Sequence, residues 1–315
     1  MKNATLRQLK VFETVARHLS FSRAAEELHL TQPAVSIQVG QLADHAGLPL
    51  FEQLGRKIYL TPAGREMLRY SRSIIQQFKE AEEALAGLKG IRGGKLNIAV
   101  ISAGDYFFPR LLAEFCSRHQ DVSVELGVNN REEVVRLLAE NTIDLAIIMR
   151  PPQDMDIVAE TFAPLPQVII AAPEHRLAKR RRITMTALEN EAFIVRERGS
   201  DTRISMDEVF AERGFRPRIA MEIKSFETIK QAVIAGMGIS FMSAHTISLE
   251  LQVGRLVVLD IAGFPVMRSW HVVHRRNKRL PPVAAAFKTF LLEEGATLLN
   301  KMAGLRSARR KIGKK

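Results

Sequence analysis

The polar residues best placed for chemistry fall into two sets, and neither looks catalytic. The first is Gln32, Ser36 and Gln38, with Thr31 and Pro33 at the head of the same segment and Arg23 in the one before it. Thr31 can cap a helix whose first turn holds Pro33. Val35, Val39 and Leu42 then recur at i, i+4 and i+7 as its buried stripe. The opposite face presents the short polar groups. In a DNA major groove Gln can read adenine, and Ser is permissive. Arg56 and Lys57 sit at the tip of a short hairpin pattern, Leu50-Phe51 and Lys57-Ile58-Tyr59-Leu60. They suit phosphate or minor-groove contact, which positions without specifying sequence. The second set is Arg198, Gly199, Ser200, Thr202 and Arg203, between an apolar strand pattern and a helix. Gly199 lets the backbone approach a ligand, and hydroxyls and free helix N–H groups favour an anion with an arginine as charge partner. An ordinary capped helix with solvated arginines fits the same residues.

Other chemistries are excluded. No nucleophile–base set and no paired carboxylates occur at convincing spacing, so an enzyme is not expected. His271 and His274 are three apart on a strand pattern and point to opposite faces, so no metal site is expected. Gly236-Met237-Gly238 lacks the third glycine of a dinucleotide fingerprint and precedes a strand rather than following one. Cys116 is the single cysteine. It rules out an intrachain disulfide or thiolate zinc site, and among Leu112 and Phe115 it reads as core rather than as a redox thiol.

Three blocks must position these residues. Residues 5–19 form an amphipathic helix, with Leu9, Phe12, Val15, Ala16 and Leu19 on one side. A second helix starts at Phe21-Ser22, with Ser22 its expected N-cap, and leads through the turn at His29 into the third. From Thr61-Pro62 a helical pattern places Met67, Ser71, Ile74, Phe78, Ala81, Leu85 and Leu88 at alternating spacings of four and three. This rod of about 40 Å predicts a partner helix from a second copy of the chain, or else a face packed on its own domain. Gly90, Gly93 and Gly94 end it. Strand patterns at 95–101, 122–128 and 144–149 then alternate with helices at 109–118 and 131–141, which predicts a parallel sheet. A second such run begins near Val168, and a strand at 266–274 leads to a last helix at 282–293. Two α/β lobes follow, with ligands expected in the cleft between them.

The chain has 315 residues and a net charge of +12. Residues 1–94 carry 13 Lys/Arg and 9 Asp/Glu, residues 95–300 carry 26 and 25, and residues 301–315 carry 7 and 0. The basic surplus lies at the two ends of a nearly neutral middle, which favours a nucleic-acid partner. No apolar run is long enough for a membrane span, and MKNATLRQLKVF lacks the apolar stretch of a secretion signal. A cytoplasmic location is expected.

The run FSRAAEELHLTQPAVSIQVGQLADHAGLPLFEQLGRKIYLTPAG (21–64) resembles the N-terminus of LysR-type transcriptional regulators. NNREEVVRLLAENTIDLAIIMRPP, VRERGSDTRISMDEVFAERG and ETIKQAVIAGMGISFMSAHT resemble, within that family, the CbbR-type regulators of carbon-dioxide-fixation (Calvin cycle) operons. The resemblance implies an α/β chain with an N-terminal all-α winged helix-turn-helix, a long linker helix and a two-lobed periplasmic-binding-protein-like regulatory region. It places a DNA-binding domain at 1–61 (helix-turn-helix 22–41), a dimerisation helix at 62–90, an effector-binding domain at 91–300 and a basic tail at 301–315. Lobe I would be 95–165 and 269–300, and lobe II 166–268. Implied partners are double-stranded promoter DNA, RNA polymerase, and further copies of the chain in a homodimer or homotetramer through the linker helix. The implied role is activation of carbon-fixation genes. No cofactor is expected. The inducer would be a small anionic metabolite, with a phosphorylated metabolite or NADPH as candidates, facing Ser102, Ala103, Asn130, Arg150, Ser225 and Thr228 as well as residues of the second set. The sequence departs from its relatives in four places. Gly40 stands where they usually carry Arg or Lys, Ala103 where Thr is usual, Asp105 where Lys is usual, and Phe226 where Asn is usual. Three alternatives stay open: a regulator of another metabolic operon with a different inducer, a two-lobed solute-binding protein with vestigial DNA binding, and a nonspecific architectural DNA binder.

Overall fold

The computed structural model describes residues 4–55, 57–87 and 94–302. Two compact units divide the chain: Met1–Gly90 with Glu140–Thr142, and Ile91–Ala139 with Ile143–Lys315.

The N-terminal unit opens with α1 (Leu6–His18), α2 (Phe21–Leu28) and α3 (Gln32–Ala46). A capping box starts α1: Thr5 Oγ1 accepts from Gln8 N, and Gln8 Oε1 accepts from Thr5 N, so two otherwise orphaned N–H groups are satisfied. The cap of α2 is Ser20, whose Oγ accepts from Arg23 N at 3.3 Å. Ser22, the cap expected from sequence, lies inside the helix. Leu19 ends α1 in the left-handed region at φ 46, which turns the chain earlier than the Phe-Ser pair suggests. As expected, Thr31 caps α3 and Pro33 lies in its first turn. Phe12, Val15, Val35 and Leu42 are fully buried in one core, each contributing about 1.5–3 kcal/mol. The strands β1 (Phe51–Leu54) and β2 (Lys57–Leu60) pair antiparallel from Phe51↔Leu60 to Leu54↔Lys57. They form the wing; Arg56 lies outside the described residues.

The helix α4 (Pro62–Gly87) starts at Thr61, whose Oγ1 accepts from Gly64 N and donates to Pro49 O. Its apolar stripe divides. Met67 and Leu68 pack on the N-terminal core, and Ser71 is fully buried where α4 meets α1, a place for a small side chain. Beyond that point Ile74, Phe78 and Leu85 are exposed. One end of the stripe therefore serves its own unit, and the other forms an open apolar row. Leu88, Gly90 and Gly93 lie outside the described residues.

The second unit runs β3 (Gly94–Ile101), α5 (Phe108–Arg118), β4 (Val122–Asn129), α6 (Arg131–Ala139), β5 (Leu145–Ile148) and β6 (Ile157–Ala171). It continues with β7 (Ala192–Arg196), α7 (Asp201–Glu212), β8 (Arg218–Ile223), α8 (Phe226–Ile234), β9 (Ser240–Ser243) and α9 (Ser248–Gln252). β10 (Val257–Val258), β11 (Val266–Arg275) and α10 (Pro282–Met302) complete it. The first half is the expected parallel arrangement, with β3 between β4 and β5. The long strands β6 and β11 pair antiparallel from Val266↔Gln167 to Arg275↔Ile157. The sheet order is β10-β6-β11-β5-β3-β4, with β9 also on β6, while β7 and β8 form a separate parallel pair. Two hydrophobic cores result, one including Phe108, Trp270 and Phe287, the other Phe193, Phe210 and Phe241. The expected lobe limits at 165/166 and 268/269 fall inside β6 and β11, so two paired, continuous strands join the lobes. In the first lobe Lys278 Nζ lies 3.1 Å from Asp144 Oδ1, both side chains being 1% exposed. Asp144 Oδ2 accepts from the backbone and side-chain N–H groups of Asn97.

Among the described residues, no helix is long and apolar enough to cross a membrane, and no cluster of His, Cys, Asp or Glu could hold a metal ion. Cys116 is half-buried, and burial raises its thiol pKa, which suppresses the reactive thiolate.

Candidate functional site

In the N-terminal unit α3 is held by Val35, Val39 and Leu42 and turns Gln32 and Ser36 to solvent, with Gln38 half-buried beside them. Arg23 on α2 and Lys57 on the wing are exposed, as are Thr31 and Pro33 at the head of α3. Sequence reasoning missed Ile37, which is 58% exposed next to Ser36. An apolar side chain there can meet a thymine methyl group. Gly40 is exposed on the same helix, and no atom lies within 4 Å of where its Cβ would be. Nothing in the packing demands glycine at this position.

In the second unit a small recess opens between the two lobes. One wall is the end of β3 and the turn after it (Ile101, Ser102, Ala103) with Asn129, Asn130 and Arg131. The other is Arg196 at the end of β7, Ser200, Asp201 and Thr202 at the head of α7, and Phe226 at the head of α8. Ser200 caps α7, its Oγ accepting from Arg203 N at 3.2 Å. Asn130 does the same for α6, accepting from Glu133 N at 2.8 Å. Ser102 Oγ donates to Asn129 O. The Arg196 guanidinium lies 3.9 Å over the Phe226 ring and donates through Nε and Nη2 to Glu197 at 2.7 and 2.9 Å. Its side chain is 4% exposed, and its Nη1 edge has no hydrogen-bond partner among the described residues. Opposite it, Arg131 Nε is 3.1 Å from Asp201 Oδ1. Burial raises the Asp201 pKa to about 6, against the opposing pull of Arg131, Arg150 and the Met149 N–H.

The structure brings Ser102, Ala103, Asn130, Ser200 and Thr202 to one recess and leaves out the rest of the expected effector set. Arg203 faces inward, donating hydrogen bonds to Asp207, Glu222 and the Arg196 carbonyl. It braces the loop through the Arg196 carbonyl and is not part of the recess lining. Arg198 is exposed and Gly199 turns the chain at φ +87, and neither lines the recess. Arg150 is paired with Glu208 at 2.5 Å. Ser225 and Thr228 are exposed, with Ser225 capping α8 through Thr228 N. The walls instead acquire Arg131, Arg196, Asp201 and Phe226. Arg131 begins α6 next to the expected Asn130, and Arg196 ends β7 two residues before the expected Arg198; those positions were the available clue. Asp105 is exposed and not part of the lining. Phe226 replaces a polar side chain with an aromatic platform for Arg196.

Two family models match the chain. The bacterial regulatory helix-turn-helix protein, lysR family, covers residues 6–65, and the LysR substrate binding domain covers residues 89–296. The RuBisCO operon transcriptional regulator of Allochromatium vinosum is 51% identical over 296 residues, covering 94% of this chain and 98% of that protein. A solved structure of the Synechocystis PCC6803 CcmR regulatory domain in complex with 2-PG is 39% identical, with a TM-score of 0.61, over 64% of this chain and 96% of that one. A full-length OxyR variant from Pseudomonas aeruginosa shares the fold, with a TM-score of 0.73 over 94% of each chain at 23% identity.

Proposed function

The chain belongs to the LysR family of transcriptional regulators, and from that premise we propose that it controls carbon-fixation (RuBisCO and Calvin cycle) genes from the cytoplasm, as an activator. The observation that carries the target is the near full-length 51% identity to a RuBisCO operon regulator. Residues 1–61 bind promoter DNA, 62–90 dimerise, 91–300 bind the effector, and the tail from 301 adds nonspecific DNA contact. Gln32, Ser36 and Gln38 read bases, with Ile37 as an apolar contact. Arg23, Thr31, Pro33, Arg56 and Lys57 meet the backbone. The exposed row Ile74, Phe78 and Leu85 pairs with α4 of a second copy, in a homodimer or tetramer that contacts RNA polymerase.

The effector is a small anion in the recess, held by Arg131 and the free edge of Arg196, with Ser102, Asn130, Ser200 and Thr202 supplying hydrogen bonds and Ala103 and Phe226 the walls. Two guanidinium groups and several hydrogen-bonding side chains around one recess suit a compact phosphorylated metabolite such as 2-phosphoglycolate, and the regulatory domain of the Synechocystis CcmR relative was solved in complex with 2-PG. Two substitutions test the DNA half. Gln32→Ala with Ser36→Ala removes the footprint at the operator while leaving nonspecific, salt-sensitive binding intact. An unchanged footprint would overturn the reading. Arg196→Ala tests the effector half, with calorimetry as the readout. Undiminished binding of 2-phosphoglycolate would move the site elsewhere.

A further inference from the structure

Asp201 is the oddest member of a recess that takes an anion. Its residue is 4% exposed, and neither carboxylate oxygen has a hydrogen-bond partner of ordinary geometry, the nearby Met149 N–H included. Arg131 Nε is close to Oδ1 but out of line for a hydrogen bond. Buried polar atoms are nearly always satisfied, so an orphaned pair in a ligand recess calls for a partner that is not part of the chain. The recess has two cations, and each has its own acid: Glu197 for Arg196 and Asp201 for Arg131. An anion arriving at Arg131 therefore meets a carboxylate already there, and two negative charges in a dry site repel strongly.

We propose that Asp201 is a ligand-binding residue of this recess, and that it meets an anionic effector as the neutral carboxylic acid, donating a hydrogen bond to it. This rests on the reading of the recess as an anion site. Protonation removes the repulsion, frees Arg131 for the ligand and gives the orphaned oxygens a bonded role. The proton comes from solvent and settles on Oδ1 or Oδ2. The charged groups around Asp201 are Arg131 at the head of α6, Arg150 after β5 with its partner Glu208, and Arg196 with Glu197 at the end of β7. On its own helix Arg203 is neutralised by Asp207 and Glu222. The head of α7 favours the ionised form, and burial opposes it, which leaves the group near 6. Without ligand it is mostly ionised at neutral pH, and a nearby anion pushes it upward from there.

The test is calorimetry of the full chain with 2-phosphoglycolate between pH 6 and 8, in pairs of buffers with different ionisation enthalpies, on wild type and Asp201→Asn. Wild type is expected to take up several tenths of a proton per ligand bound at pH 7. The ligand itself has a second phosphate pKa of about 6, so binding of its dianion alone would release protons, the opposite sign. Asp201→Asn should bind without this uptake. The ratio of variant to wild-type affinity should grow as pH rises, by at most about tenfold per unit. Binding by wild type with no uptake, and with a ratio that does not change with pH, overturns the role of Asp201 while leaving the anion site standing. No binding of 2-phosphoglycolate by either protein at any pH overturns the anion-site reading, and this proposal with it.

Discussion

Two glycines in the N-terminal unit should respond to the same substitution with opposite signs. A Cβ built on Gly64 would lie 1.9 Å from the Leu50 carbonyl oxygen and 3.0 Å from both Leu50 C and Leu60 Cδ2. Carbon and oxygen approach comfortably only at about 3.3 Å or more, so α4 and the chain before the wing must part by more than an ångström. The obstacle is backbone, and the same Leu50 oxygen accepts from Thr61 N at 3.1 Å. Overpacking of this kind costs about 1–3 kcal/mol, and a strained hydrogen bond adds about 1 kcal/mol. Replacing a helical glycine by alanine returns about 1 kcal/mol. Gly64→Ala should therefore destabilise by about 1–3 kcal/mol. Gly40 has open space around it, so Gly40→Ala keeps only the helix term and should stabilise by about 1 kcal/mol. Hydrogen exchange of the amides of α1 and α3 in the full chain reads both. Exchange should slow roughly fivefold in Gly40→Ala and quicken roughly 5- to 150-fold in Gly64→Ala. Equal stabilisation by both would show that the wing and α4 are not locked together at Leu50.

Three more outcomes follow from the packing. Lys278→Met leaves Asp144 charged, buried and without its cation, and should cost about 3–5 kcal/mol in urea unfolding; a change below about 1 kcal/mol would mean that Asn97 alone suffices. Ile74→Glu with Phe78→Glu should shift the chain to a smaller species in sedimentation velocity at unchanged helix content, and an unaltered assembly would rule out pairing through α4. His245 is buried, which lowers its pKa to about 4, and its Nδ1 accepts from Trp270 Nε1. Because the unfolded chain binds this proton at about 6.5 and the folded chain does not, stability is complete above 6.5 and is lost as pH falls toward 4, by up to about 3 kcal/mol. Asp201, raised to about 6, works the other way between about 4 and 6, so the slope is best followed by Trp270 fluorescence in Asp201→Asn. A flat profile there would contradict the buried neutral imidazole.

Local chemistry makes the N-terminal unit readable. Thr31, Pro33 and the Val35/Val39/Leu42 stripe specify α3 without help from distant residues, so the sequence expectation and the structure agree. Ser22 is the wrong serine for the α2 cap because the choice between two nearby serines depends on how Leu19 ends α1. The heptad of α4 is visible in the sequence, but not that Ser71 marks the change from a buried to an open face. The recess is only half legible. Cap residues such as Ser200 and Asn130 announce themselves by their place before a helix. A long arginine has local and distant partners: Glu197 and Asp207 lie one and four residues along the chain from Arg196 and Arg203 and could be read from spacing, whereas Phe226 and Glu222 are brought in by tertiary packing. Numbering gives no hint of those two, nor of Asp201 facing Arg131 across the lobes.

The proposed function joins sequence-selective DNA binding to control by a small anion in one chain. Fluorescence anisotropy with footprinting tests both together, using intact protein at physiological salt on the promoter of the carbon-fixation genes and on scrambled DNA of equal length, with and without 2-phosphoglycolate. A preference for the promoter of about a thousandfold or more is expected, with a footprint whose extent changes when the anion is added. Equal affinity for both DNAs, or a footprint that no small anion alters, would contradict the proposed function.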